Sequence, residues 1–245
     1  MINIAVLILS VILSAVVVER FKVSSKILSL LLAFSGAYLL TVAFTHIIPS
    51  IFTGENNIFL GYFVLLGFFI QLLIEYISGG AEHGHGHCEE HDKHNHSSSV
   101  APYTLLIGIS IHAFFEGMPF SHEFHNHDHL QTSLLLGIVI HKIPIAVVLM
   151  GLFLAAGYSR LKAYVLISVF ALTAPLGALL GGVIGEGLGF EIEYFYKIVM
   201  AILVGIFLHV ATSILYESNT SHRFNLYKLL IILFGVFLAV LSGLI

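Results

Sequence analysis

Long apolar runs separated by short polar breaks extend along the whole chain. The runs cover residues 2–18, 28–52, 58–78, 101–121, 131–156, 162–185, 195–216 and 227–245. Each is close to the roughly 20 residues that an α-helix needs to cross a hydrocarbon core of about 30 Å. The pattern therefore predicts an all-α integral membrane protein with eight transmembrane helices and both termini on the same side.

Basic residues are distributed unevenly between the two sets of connections. The connections after spans one, three, five and seven carry eight of them, whereas the other connections carry only Lys197. The eight are Arg20, Lys22, Lys26, Lys93, Arg160, Lys162, Arg223 and Lys228. Because cytoplasmic loops are enriched in Lys and Arg, we expect both termini outside. No basic residue precedes the first run, so we expect a retained anchor and not a cleaved signal peptide.

Composition supports the membrane class and narrows the chemistry. Hydrophobic residues make up 58% of the chain, charged residues only 10%, and the mean hydropathy is +1.00, whereas soluble domains carry roughly 25% charged residues. The net charge of −4 includes no basic patch, which excludes a nucleic-acid partner. Cys88 is the single cysteine, so any metal site must use histidine and carboxylate ligands.

The connection at residues 79–100 is long, polar and rich in histidine. We interpret residues 1–245 as a single transmembrane transport domain with this cytoplasmic, disordered loop inside it. The helices then divide into a 3+2+3 arrangement. The loop's six histidines predict a flexible metal buffer, with an inert solubilising loop as the alternative. These histidines are His83, His85, His87, His91, His94 and His96.

Three ionisable residues near the middle of spans four and five predict a metal site. His112 and Glu116 are four residues apart and so share one helical face, and His141 lies at a similar depth in span five. Buried ionisable groups cost roughly 2.5–3.5 kcal/mol each in a bilayer, and imidazole with carboxylate is a ligand set that zinc accepts. The alternative is that the three only hydrogen-bond across helices.

Two neighbours of His141 modify this prediction. Lys142 is a cation beside a cation site, so it must be shielded by a carboxylate such as Glu116 or occupy the place of a second metal. Pro144 cannot donate an amide proton and leaves the carbonyl of Ile140 without its helical partner. The proline therefore predicts a kink in span five, and an unwound turn at the kink would offer backbone oxygens to an ion. The alternative is a proline that the membrane helix tolerates without a role in binding.

Other polar positions in the spans have weaker signals. His46 near the outer end of span two could receive metal, and Glu75 near the inner end of span three, four residues after Gln71, could guide metal out or carry a proton. For both, an interfacial polar residue is the alternative. His209 in span seven is interpreted as a packed, hydrogen-bonded histidine.

Span six places glycines at four-residue spacing, at Gly177, Gly181 and Gly185. Small residues on one stripe allow helices to approach closely, which fits either a moving interface or static packing.

The motifs together resemble one known family. HAFFEG of span four, HKIP of span five, the Gly-rich span six, THIIPS, GFFIQLLIEYI and FLHVATSILYE are similar to the signature helices of the ZIP (Zrt/Irt-like) divalent metal transporters. The resemblance covers most of the chain. It implies metal import toward the cytoplasm, spans four and five lining the path, and an elevator-like motion of spans one, four, five and six against the others.

The sequence departs from the two-metal version of that family pattern. Ala113, Lys142, Ile145 and Ala174 stand where the pattern has asparagine or carboxylate ligands. The resemblance is to the branch with His-Lys in the fifth helix, where lysine takes the place of a second metal. It implies one transported ion, bound by His112, Glu116 and His141.

We therefore expect a non-enzymatic, multi-pass importer in the plasma or inner membrane with alternating access. The expected substrate is Zn2+, and Fe2+, Mn2+, Cd2+ or Co2+ could use the same ligands. The expected partners are divalent metal ions and the lipid bilayer, and a homodimer stays open. Two alternatives remain: an intramembrane zinc-dependent hydrolase, although no HExxH motif is present, and a metal sensor without flux.

Overall fold

The computed structural model describes residues 2–21, 23–53, 57–78, 102–124, 128–217 and 226–243. Within these ranges eight long helices follow one another without a strand. They are α1 (Ile2–Arg20), α2 (Ser25–Ile51), α3 (Asn57–Ser78), α4 (Pro102–Gly117), α5 (Asp128–Ala155), α6 (Arg160–Gly187), α7 (Ile192–Glu217) and α8 (Leu226–Ser242). The predicted all-α class and the eight helices are confirmed.

Six of these helices, α1, α2, α3, α5, α6 and α7, are long and apolar enough to cross a membrane. The helix α8 is apolar but has 17 residues, and α4 has 16. The apolar run of span four reached residue 121, but α4 ends at Gly117 and a 3-10 turn, Met118–Phe120, follows. Pro119 explains this, because a proline disfavours the helical conformation of the residue before it.

Serine caps and glycine turns set several helix boundaries. The Ser24 and Ser159 side chains accept hydrogen bonds from the backbone amides of Ile27 and Lys162, at 3.3 Å each. They satisfy amides that a helix leaves unpaired at its start, so α2 and α6 begin before the apolar runs do. Gly157 takes a positive φ of 78°, which only glycine adopts without strain, in the turn between α5 and α6.

The prolines of α2 and α5 affect their helices differently. In α2 the segment Ala43–Ile47 is a π-helix, in which the amide of Ile48 donates to the carbonyl of Ala43. Pro49 lies directly after Ile48. In a regular α-helix its ring would clash with the carbonyl four residues earlier, and the wider π-helical turn avoids this clash. By contrast, α5 stays helical past Pro144, so the unwound turn envisaged there is absent.

The helices pack in two groups. In the first group, α1 contacts α5 and α6, and α4 packs along α6; in the second, α2 packs on α7 and α8, and α3 packs along α7. The groups meet where α2 contacts α5 and where α3 contacts α4. The first group encloses a separate hydrophobic core, which includes Val11, Ile109, Leu149 and Ile167. The 3+2+3 arrangement and the side on which the termini lie stay predictions.

Glycines bring backbones together inside each group. A Cβ added at Gly177 of α6 would collide with the carbonyl of Phe114 in α4, and one at Gly205 of α7 with the carbonyl of Val64 in α3. Where the groups meet, Gly137 of α5 instead faces the side chains of Tyr38 and Leu39. In the glycine stripe of span six, Gly177 therefore packs α6 against α4 within the first group, whereas Gly185 faces the Phe195 ring of α7 in the second.

Candidate metal centre

One face of α4 presents the first two candidate ligands. His112 and Glu116 lie one turn apart, and Nε2 of His112 is 3.2 Å from Oε1 of Glu116. Both side chains are buried, with residue exposures of 2% and 0%. A buried carboxylate and imidazole in an apolar helix bundle are costly, so this face must gain compensating interactions.

The third candidate, His141, comes from α5 at the contact with α4. Its ring lies 5.8 Å from that of His112 between centroids, at an interplanar angle of 63°, and it is 2% exposed. Ligand atoms of His112, Glu116 and His141 all lie within 4.8 Å of one another. In the described part of the chain these three form the one group of at least three His, Cys, Asp or Glu residues with this geometry.

The spacing of these atoms suits a small divalent cation. Zinc bonds nitrogen and oxygen at about 2.0–2.2 Å, so neighbouring ligand atoms of a tetrahedral ion lie roughly 3.3 Å apart. The His112 Nε2 to Glu116 Oε1 distance of 3.2 Å matches that spacing. The three ligand atoms lie within 4.8 Å of one another, which is wider than the spacing around a bound ion. The ligands can therefore move closer together when an ion binds.

Lys142 takes up the other oxygen of Glu116. Its Nζ donates to Oε2 at 2.6 Å and lies 5.2 Å from the centre of the Phe170 ring. The lysine is 2% exposed. The carboxylate therefore presents Oε1 to His112 while Oε2 is held by an ammonium group, and the neighbouring Ala113 and Ala174 are buried methyl groups without ligand atoms.

Two buried polar side chains of the second helix group contact the ligand histidines. Oε1 of Gln71 in α3 lies 3.0 Å from Nδ1 of His112, and Oγ of Ser35 in α2 lies 3.4 Å from Nδ1 of His141. Both Gln71 and Ser35 are 0% exposed. Sequence reasoning noted Gln71 without a role and missed Ser35; the only signal for Gln71 was an amide alone in an apolar stretch.

The two residues predicted at the mouths lie away from the ligand group. His46 sits in the π-helical segment of α2, with Nδ1 2.6 Å from Oγ1 of Thr45, and lines a cavity of about 380 Å³ with Pro49, Ser50 and Ser242 among others. Glu75 lies one turn beyond Gln71 on α3. The six loop histidines and the whole of residues 79–101 are outside the described residues.

Glu75 has a histidine partner that the sequence did not indicate. Its Oε2 lies 3.4 Å from Nδ1 of His209 in α7, and the His209 ring stands edge-on to Phe68 at 4.9 Å between centroids. His209 is 5% exposed. The predicted packed histidine is thus one half of a carboxylate–imidazole pair between α3 and α7.

Comparison with known proteins places the chain in a family. The family model described as ZIP zinc transporter matches residues 78–243, which include α4, α5 and the whole ligand group. The chain belongs to the ZIP zinc transporter family. Protein zntD of Dictyostelium discoideum, a curated protein, is 32% identical over 168 residues, which are 64% of this chain and 24% of that protein. The chain thus spans about a quarter of that relative's length.

Membership of the ZIP family decides two of the sequence expectations. ZIP proteins are transporters of zinc and other divalent metals and not enzymes, so the intramembrane hydrolase alternative is wrong. The family and the apolar helices together support a multi-pass membrane protein.

Proposed function

We propose that this ZIP protein imports a divalent transition metal ion, with Zn2+ as its main substrate, toward the cytoplasm through a single site made by His112, Glu116 and His141. The observation that carries the proposal is the convergence of these three buried ligands, within 4.8 Å, at the contact of α4 with α5. Two imidazoles and one carboxylate leave a coordination position for water, so the ion is held incompletely and can be released. Fe2+, Mn2+, Cd2+ and Co2+ are secondary candidates.

One ion per cycle follows from Lys142. A second cation near Glu116 would have to displace an ammonium group that contacts its Oε2 at 2.6 Å. Ala113 and Ala174 offer no further ligand at the positions where the two-metal pattern has them. Lys142 therefore acts in place of a second metal ion, neutralising the carboxylate that the transported ion shares.

The two helix groups support an elevator-like cycle. All three ligands lie on α4 and α5, and these belong to the group that also contains α1 and α6. Glycine-mediated backbone contacts hold the helices inside each group, whereas Gly137 at the junction of the groups meets the side chains of Tyr38 and Leu39. Two rigid bodies joined by side chains are suited to sliding past each other. The first group carries the ion and the second is the fixed frame.

The outlying polar residues fit the two ends of the route. His46 lines an open cavity at the end of α2 that the charge pattern assigns to the outside, and it receives the ion. Glu75, with its partner His209, lies near the end of α3 that the charge pattern assigns to the cytoplasmic side. It accepts the ion or a proton when the ion is released. The histidines of residues 79–100 buffer the imported metal.

Uptake of radioactive zinc into proteoliposomes tests the proposal. Wild type should accumulate zinc, and His112→Ala, His141→Ala and Glu116→Gln should each lose at least 90% of the rate, because each removes a ligand. His122→Ala is the matched control, since it removes an exposed histidine outside the ligand group, and it should keep the wild-type rate. Size-exclusion profiles and thermal melting must show that each variant is folded.

The result also decides between transport and sensing. Zinc binding by wild type without accumulation would overturn import and favour the sensor. Equal accumulation by wild type and the three ligand variants would show that the transported ion is bound by other residues.

Two further experiments test location and oligomeric state. Fluorescent tagging in the native cell tests the plasma-membrane location, and mass photometry in nanodiscs tests the homodimer.

A further inference from the structure

The ligand histidine of α4 is tied to the opposite helix group. Its Nδ1 lies 3.0 Å from Oε1 of Gln71, and an amide oxygen can only accept a hydrogen bond. Nδ1 of His112 must therefore carry the proton that is donated. Nε2 of the same ring faces Glu116 at 3.2 Å. When a metal ion binds, Nε2 supplies the lone pair to it, so the proton of the neutral imidazole is the one on Nδ1.

The second ligand histidine is held in the same way. Oγ of Ser35 donates its single proton to the carbonyl of Leu32 at 3.0 Å. Its lone pairs are therefore what it offers to Nδ1 of His141, at 3.4 Å, so the imidazole is the donor. In His141 too the proton sits on Nδ1 and the metal-binding lone pair on Nε2.

Both anchors belong to the helix group that does not carry the ligands. Ser35 is on α2 and Gln71 on α3, whereas His112 and His141 are on α4 and α5. A residue that accepts a hydrogen bond from the other ring nitrogen of a metal-binding histidine fixes the tautomer and the orientation of the ring. Losing such a residue typically weakens metal affinity by about 10–100-fold.

We propose that Gln71 and Ser35 are positioning residues that give the metal site its full affinity in only one arrangement of the two helix groups. The proposal rests on the proposed function for its role in transport. A hydrogen bond is lost when its atoms separate by more than about 3.5 Å, so a slide of even a few ångströms breaks both anchors together. The histidine rings are then free to turn, and the bound ion is held less tightly.

Metal binding in detergent by calorimetry tests the anchors without needing transport. Gln71→Met keeps a similar side-chain length but removes the acceptor, and it should weaken zinc binding about 10–100-fold. Gln71→Glu keeps an acceptor beside His112, and its negative charge should keep zinc affinity at or above that of wild type. Ser35→Ala and Ser35→Thr form the same comparison for His141. Ser14→Ala, which removes a buried hydroxyl that donates to the carbonyl of Ser10 on its own helix, should bind as wild type does.

The tautomers themselves give a readout that a packing role would not change. Nitrogen-15 NMR of histidine-labelled wild type without metal should show His112 and His141 protonated on Nδ1. Gln71→Met should lower the fraction of His112 that is protonated on Nδ1 and leave His141 unchanged, and Ser35→Ala should do the reverse. In uptake assays Gln71→Met should raise KM and leave kcat the same or higher, because release no longer requires breaking the anchor.

Two results would overturn this role. One is zinc affinity of Gln71→Met and Ser35→Ala within twofold of wild type. The other is wild-type histidines that carry no proton on Nδ1, which can be seen even if a variant fails to fold. Failure of the proposed function looks different: wild type would bind zinc and show the tautomers but accumulate none in liposomes.

Discussion

Lys142 Nζ and Glu116 Oε2 form an ion pair at 2.6 Å in which the two residues are 2% and 0% exposed. Burying both charges together is tolerable because each compensates the other, whereas removing one partner leaves the other uncompensated. The pair is therefore a structural constraint on the same carboxylate that we assign to the transported ion.

The first prediction separates folding from transport at this pair. Lys142→Met should lower the free energy of unfolding by about 3–5 kcal/mol, since the Glu116 carboxylate loses its counter-ion. The double variant Lys142→Met with Glu116→Gln should recover most of that stability but not zinc uptake. Thermal melting in detergent measures the first effect and liposome uptake the second. Equal melting temperatures for wild type and Lys142→Met would contradict the role of the pair.

A second prediction concerns the backbone contact between α3 and α7. A Cβ at Gly67 would collide with the carbonyl of Ile202, so Gly67→Ala should destabilise the protein by about 1–3 kcal/mol. Gly61→Ala on the same helix is its matched control, because nothing lies within 4 Å of the added carbon. Gly61→Ala should melt at or slightly above the wild-type temperature, and a loss equal to that of Gly67→Ala would exclude the steric cause.

The third prediction treats Glu75 and His209 as a unit. Because their side chains meet at 3.4 Å, Glu75→Gln and His209→Gln should each lower kcat for uptake several-fold with little change in equilibrium zinc affinity. The double variant should be no worse than the more affected single one, since partners in direct contact give non-additive effects. Multiplicative losses would show that the two act independently.

The fourth prediction is the pH dependence of uptake without an imposed proton gradient. An imidazole must be neutral to bind a metal ion, so initial rates at low zinc should fall as the pH is lowered from about 8 to 5. Raising the zinc concentration should partly restore them, because proton and metal compete for the same lone pairs. A rate that is flat over this range would contradict histidine ligation.

Much of this architecture follows from the chain's own pattern. Apolar run length predicts the eight helices, and the four-residue spacing of His112 and Glu116 places both on one face before any packing is known. The similar depth of His141 in span five adds the third ligand, and the likeness of HAFFEG and HKIP to one family supports the set. These features are local or rest on short motifs, so they can be read along a single helix.

The anchors behave differently because they depend on how helices meet. Gln71 and His112 are 41 residues apart, and Ser35 and His141 are 106 apart. Their contacts require a particular rotation and vertical register of α3 against α4 and of α2 against α5, which a nearly uniform apolar surface does not specify. The same holds for Glu75 and His209. At Pro144 only the unwound turn is absent, since α5 is helical on both sides of it, and the kink stays a prediction.

The ion pair of Lys142 with Glu116 also has an electrical consequence. Whichever of the two holds the shared proton, carboxyl and amine together carry no net charge. With neutral histidines the empty site is therefore neutral, and the site with Zn2+ has a charge of +2. A membrane voltage acts on charge that moves, by about 2.3 kcal/mol per elementary charge for each 100 mV. In the proposed import cycle, an inside-negative membrane voltage should therefore favour the inward movement of the loaded site and should not affect the return of the empty site.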